Sequence, residues 1–145
     1  MKLAKIEELL CSTQAPHVIQ LLRADDEFVH RLEAAGHSVV HLDGASMRAP
    51  SQAFVCFGAA FRFPSSVANY AGFEDWMRDL SWLNTPGAGW VVLIRNARHL
   101  LGGERSQRDT LLSSLAAIGG DWAKPVSQGE WWGRPAIPFH TLLIG

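Results

Sequence analysis

Hydrophobic residues recur along this chain with two different periods, and the switches between them outline the elements. Leu3, Ile6, Leu9 and Leu10 share one helical face, which predicts a short docking helix over residues 2–11, with Ser12 to Pro16 as its connector. HVIQLL at 17–22 is a short β-branched run and predicts a strand. Asp25 is placed to cap a helix through about Ala35, with Phe28, Val29 and Leu32 toward the core and Gly36 as its stop. HSVVHLDG predicts a second strand, ended by Asp43-Gly44. Pro50 suits a first helical turn, and Phe54, Phe57 and Phe61 follow at helical spacing up to the break at Phe63-Pro64. A turn at Pro86-Gly87-Ala88-Gly89 leads into WVVLIRN, continuous enough for a strand covered on both faces. Leu111, Leu112, Leu115 and Ile118 mark a further helix, expected to close at Gly119-Gly120, and FHTLLIG is the last strand.

Strands alternating with helices predict an α/β fold with a small, largely parallel sheet packed by helices. The segment from Asp121 to Pro138, with Trp122, Trp131 and Trp132, is long for a structureless connection and is expected to hold a short hairpin. At 145 residues and 48% hydrophobic, the chain can bury one core without metals or disulfides. A formal charge of -1 excludes a global field that recruits nucleic acid, so any electrostatic function must be local. Cys11 and Cys56 fit no metal or disulfide spacing and are expected to be reduced thiols. Glu7 and Glu8 interrupt the N-terminal apolar run, which argues against an export signal. No apolar stretch reaches the roughly 20 residues of a membrane helix. A soluble, cytoplasmic protein is expected.

The segment FPSSVANYAGFEDWMRDLSWL at 63–83 stands apart. If 70–81 is helical, Tyr70, Phe73, Met77 and Leu80 line the inner face, Ala71, Asp75 and Arg78 lie near the opposite one, and Glu74 and Asp79 flank it. Asn69 stands at the N-cap. By its chemistry alone this pattern describes a solvated, Asn-capped helix face better than it describes a binding surface, because exposed charges commonly lack partners.

The run from Asn69 to Leu83 resembles the hallmark segment of the barstar family, small intracellular inhibitors of secreted ribonucleases. There a Phe-Pro turn leads through a loop to an Asn and an acidic helix closing in Asp-Leu-x-Trp-Leu, matched here by Asp79-Leu80-Ser81-Trp82-Leu83. The resemblance extends over roughly 17–145, through HLDG, the Phe63-Pro64 turn, the apolar strand, the Leu-rich helix, Gly129-Glu130-Trp131-Trp132 and Pro138-Phe139-His140. It implies a barstar-like domain at 17–145 behind an N-terminal extension at 1–16. It further implies an immunity protein that plugs the active site of a cognate bacterial toxin, an RNase, through loop 63–69 and the acidic helix 70–82. Asn69, Tyr70, Glu74, Asp75, Arg78 and Asp79 would touch the partner. The protein would use no cofactor or metal, contact neither nucleic acid nor membrane, and be monomeric when free. Three features differ from the family pattern. The loop Ser65-Ser66-Val67-Ala68 is one residue shorter, Ala71 stands where the family usually has an Asp, and Tyr70 replaces an apolar residue or Trp. They point to a toxin other than barnase.

Rival chemistries find less support. His37 and His41 would share a strand face as two metal ligands must, but no third ligand lies nearby, and half-exposed strand histidines are expected. Cys56, between Val55 and Phe57, reads as a buried thiol. Gly87-Ala88-Gly89 and Gly102-Gly103 lack the context of a phosphate loop and read as turns. Arg95, Arg98, His99, Arg105 and Arg108 form a basic region without interleaved aromatics, expected to be solvated. Trp131 and Trp132 are expected to cover a sheet edge, with a sugar- or base-stacking platform as the alternative. Glu74 and Asp75, about 100° apart on a helix, are poorly placed to act as an acid and base on one substrate. A module for a non-nuclease partner remains the alternative function, ahead of a small enzyme.

Overall fold

The computed structural model describes residues 3–84, 86–126 and 133–145. Four parallel strands, β1 (Val18–Leu21), β2 (His37–Asp43), β3 (Gly89–Arg95) and β4 (Phe139–Ile144), form one sheet in the order β1-β4-β3-β2. The inner strands are the two most apolar runs, and β4 is buried along its whole length, as is β3 up to Arg95. The connections from β2 to β3 and from β3 to β4 step across the sheet in one direction. They carry α3 (Pro50–Ala60), α4 (Tyr70–Asp79) and α5 (Arg105–Trp122), which pack on one face. The connection from β1 to β2 steps back the other way with α2 (Asp26–Ala34), on the opposite face, beside α1 (Leu3–Leu10). A common crossover handedness demands that reversal.

Both faces follow from strand alternation. Trp90, Val92 and Ile94 of β3 point into the core under α3, α4 and α5, and Val91 and Leu93 into the core under α1 and α2. The N-terminal helix packs as its pattern predicts, with Ile6 and Leu10 fully buried and Glu7 bonded to Arg31 of α2 at 2.7 Å. Asp25 caps α2 by accepting from the Phe28 amide at 2.9 Å.

Four expectations need correction. The helix α5 runs through Gly119-Gly120 to Trp122. Gly119 is a contact glycine and not a stop, since a Cβ there would lie 2.5 Å from His17 Cβ and 2.8 Å from the Phe139 carbonyl oxygen. The acidic helix, expected over 70–82, ends at Asp79 because Leu80 turns left-handed at φ 48°. His37 is buried, unlike the exposed His41, because α1 ends beside it with Cys11 Sγ 3.5 Å from its Nε2. Cys56 is only half-buried. Within the segment expected to hold a hairpin, Val126 and Arg134 form an isolated antiparallel bridge. Trp131 and Trp132, expected to cover a sheet edge, lie outside the described residues.

Among the described residues no helix is long and apolar enough to cross a membrane. Nor does any group of three or more His, Cys, Asp or Glu side chains among them suit a metal ion.

Candidate functional site

The surface centred on α4 is built from its buried side outward. Phe73 and Met77, one turn apart, are fully buried. Phe73 meets Phe57 edge-on at 5.1 Å and Phe54 at 5.4 Å, so three rings from two helices fix the depth of α4. Each helix end is held by a side chain. Asn69 Oδ1 accepts from the Gly72 amide at 2.8 Å, and the Trp122 indole donates to the Met77 carbonyl at 2.7 Å. The preceding loop is tied down as well. Val67 fills the space where Gly72 has no Cβ, and Phe63 stands edge-on to Trp82, whose indole donates to the Phe61 carbonyl at 2.8 Å.

On this base the six residues expected to bind a partner separate into three groups. Asp75 and Asp79, one turn apart, are exposed along the same stripe as Ala71. Glu74 and Arg78 are drawn toward α5, because Arg78 bonds to Asp121 through its Nε and lies 3.6 Å from Glu74. Asn69 is exposed but committed to its cap, whereas Tyr70 is half-buried, edge-on to Phe54 at 5.0 Å. Burial raises the Tyr70 hydroxyl above its ordinary pKa, and its oxygen has no hydrogen-bond partner among the described residues. Three carboxylates against one guanidinium leave the segment 69–83 at a net charge of -2. With Arg78 held by Asp121, the two outward carboxylates have no ion-pair partner among the described residues.

Residues that the sequence pattern did not assign to this site complete the surroundings. Asp121, Trp122, Lys124 and Arg134 border a groove of about 900 Å³ that also touches Asp75, Arg78 and Asp79. Closing α5 at its glycine pair hid Asp121 and Trp122, which the longer helix brings against α4. The Arg134 guanidinium lies 3.4 Å over the Trp122 ring, and burial lowers its pKa against the opposing pull of Asp79 and Asp121.

The basic region is divided, with Arg98 and Arg105 exposed as expected and Arg95 and Arg108 tied to their own chain. Arg95 donates to the Ala24 carbonyl at 3.0 Å and Arg108 to the Ala97 carbonyl at 2.9 Å, while Arg98 contacts His99. Cys56 faces the Ser46 carbonyl at 3.8 Å, and burial raises its thiol pKa, which disfavours the thiolate a nucleophile needs.

No curated protein matches the chain significantly. Residues 37–143 match the family model described as Barstar (barnase inhibitor), from the first residue of β2 into the last strand. The helices α1 and α2 and the edge strand β1 precede the matched region. Since the match spans 107 of the 145 residues and includes the whole α4 surface, the protein belongs to the barstar family.

Proposed function

We propose that this barstar-family protein binds a cognate bacterial ribonuclease toxin other than barnase and occludes its active site, with no chemistry of its own. Loop 63–69 and α4 form the contact, through Asn69, Tyr70, Glu74, Asp75, Arg78 and Asp79. The protein acts in the cytoplasm, is monomeric when free, and divides into an extension at 1–16 and a barstar-like domain at 17–145. One observation carries the reading beyond family membership: Asp75 and Asp79 are exposed on a helix whose inner face is buried and whose ends are held by Asn69 and Trp122.

A nuclease cleft that holds RNA phosphates is lined with cations, so two outward carboxylates complement it, raise the association rate and set the register. A pre-ordered helix loses little conformational freedom on docking, which leaves more of the contact energy as affinity. Glu74 and Arg78 then act at the rim, where their internal pair limits what they add. Ala71, a small exposed neighbour one turn before Asp75, removes a carboxylate the family usually presents and favours a differently arranged cleft.

The test is titration of the purified protein into ribonucleases encoded beside its own gene, with RNA cleavage and dissociation constant as readouts. Stoichiometric inhibition is expected. Asp75→Ala should weaken binding by about 2 kcal/mol, the scale of close charge pairs between barnase and barstar themselves. An unchanged dissociation constant removes Asp75 from the interface, and capture of a non-nuclease toxin instead replaces the substrate-mimic reading with that of a general binding module.

A further inference from the structure

The groove between the ends of α4 and α5 has a cationic side that the acidic stripe does not explain. Arg134 is half-buried, yet it forms no ion pair among the described residues, and its Nε has no hydrogen-bond partner among them. The one hydrogen bond of its guanidinium among the described residues is a long one, 3.5 Å from Nη1 to the Asp79 carbonyl oxygen. Trp122 stacking holds the guanidinium but supplies no acceptor in its plane. Lys124 stands exposed on the same groove, also without an ion pair among the described residues. Trp90, only 5% exposed, borders it too, and its indole N–H likewise has no acceptor among the described residues. Donors withdrawn from water without acceptors are costly, and a bound group that supplies acceptors relieves that cost.

We propose that this groove receives a carboxylate-bearing side chain of the bound partner, with Arg134 and Lys124 as its anchoring cations. The proposal rests on the inhibitor reading above and sharpens it: the partner carries an acidic residue beside its basic cleft. A carboxylate fits better than a phosphate for two reasons. Its planar oxygens match the guanidinium fork, and its single charge is repelled less by Asp75, Asp79 and Asp121 around the groove. Leu80, Leu83 and Trp122 give its methylene stem an apolar wall. The groove meets the α4 stripe at Asp75 and Asp79, so one partner surface spans both.

The experiment titrates the isotope-labelled full-length protein with N-acetylglutamate amide, and in parallel with inorganic phosphate, following the indole resonances of Trp122 and Trp90. A saturable shift with the glutamate derivative is expected, weakened about tenfold in Arg134→Gln, as removing a fork-matched, charge-assisted contact predicts. Lys124→Gln alters an exposed residue outside the core, and about a threefold loss is expected from removing one cation there. Arg134→Lys should restore the charge but not the fork, and so only part of the affinity. No saturable shift, undiminished binding by Arg134→Gln and Lys124→Gln, or tighter binding of phosphate each overturns the proposal. Ribonuclease inhibition measured on the same samples separates the two readings. Inhibition with a silent titration retires the groove alone, whereas saturation without any inhibition retires the inhibitor reading and with it the ribonuclease as the source of the carboxylate, leaving the groove as a carboxylate site.

Discussion

The two faces of the sheet are covered by different materials. Under α3, α4 and α5 the core is aromatic, with Phe54, Phe57, Phe61, Phe73, Trp90, Trp122 and Phe139 buried together. Under α1 and α2 it is aliphatic, with Phe28 the one aromatic among its buried described residues. The aliphatic side is also fastened by polar links. His140, fully buried, directs its two ring nitrogens at the carbonyls of Ser12 and Pro16, at 2.8 and 3.1 Å, and Glu7 pairs with Arg31. Large flat rings have few rotamers and preferred mutual angles, so the aromatic face sets the position of α4 closely. Aliphatic packing is more tolerant, and a cover needs little more. The contrast follows the family boundary, because α1, β1 and α2 all precede the matched residues.

The strongest way to break this contrast is to empty each core in turn. Phe57→Ala should cost about 4 kcal/mol and Phe28→Ala about 3 kcal/mol in urea denaturation, as expected for deleting a fully buried ring. Only Phe57→Ala should also change the near-UV ellipticity of the tryptophans around α4; equal changes in both would make the faces one mechanical unit. Next comes the seam where α5 approaches the sheet. Gly119→Ala forces a methyl against His17 and the Phe139 carbonyl, and overpacking of that kind should cost about 2 kcal/mol. Asp75→Ala is the complementary case: stability within about 0.5 kcal/mol of the parent, and the loss confined to partner binding.

A smaller effect of opposite sign is expected at Tyr70. Removing its buried, unpartnered hydroxyl in Tyr70→Phe should stabilise the free protein by about 1 kcal/mol, read from the denaturation midpoint. The smallest effect belongs to pH. Burial lowers the pKa of His17 and His37 below the ordinary 6.5, favouring their neutral forms in the fold. Their contribution is therefore complete above the unfolded value and is lost as pH falls from there through the lowered folded values. Thermal midpoints measured from pH 7 down to pH 5 should fall, and a His37→Phe variant should flatten part of that slope. Such flattening would assign the acid sensitivity to the α1 and α2 side.

Much of the fold was legible in the chain because its signals are local. The β2 run ended by Asp43-Gly44, the unbroken apolar runs of β3 and β4, the Asp25 and Asn69 caps and the Phe54, Phe57, Phe61 spacing each depend on a few neighbouring residues. Less of the candidate site was legible. Helical geometry indicated which residues of α4 face outward, but it grouped Arg78 with Asp75. The pull of Asp121, 43 positions further along, turned Arg78 toward α5. The glycine pair in α5 misled for a related reason: glycine marks a helix stop and a close helix approach alike, and only the position of His17 and Phe139 distinguishes them.

By itself the chain determined an α/β order of elements, an amphipathic acidic helix after a Phe-Pro turn, and through that segment its resemblance to the barstar family. Periodicity and capping are properties of a few consecutive residues, so no partner had to be known. The tertiary structure decided which charges remain available. Availability depends on who stands across a helix interface, and that is a matter of distances between residues far apart in the chain. Asp121 holding Arg78, α5 extending past its glycines to seat Trp122 under Arg134, and α1 and α2 taking the second face of the sheet all belong to that class.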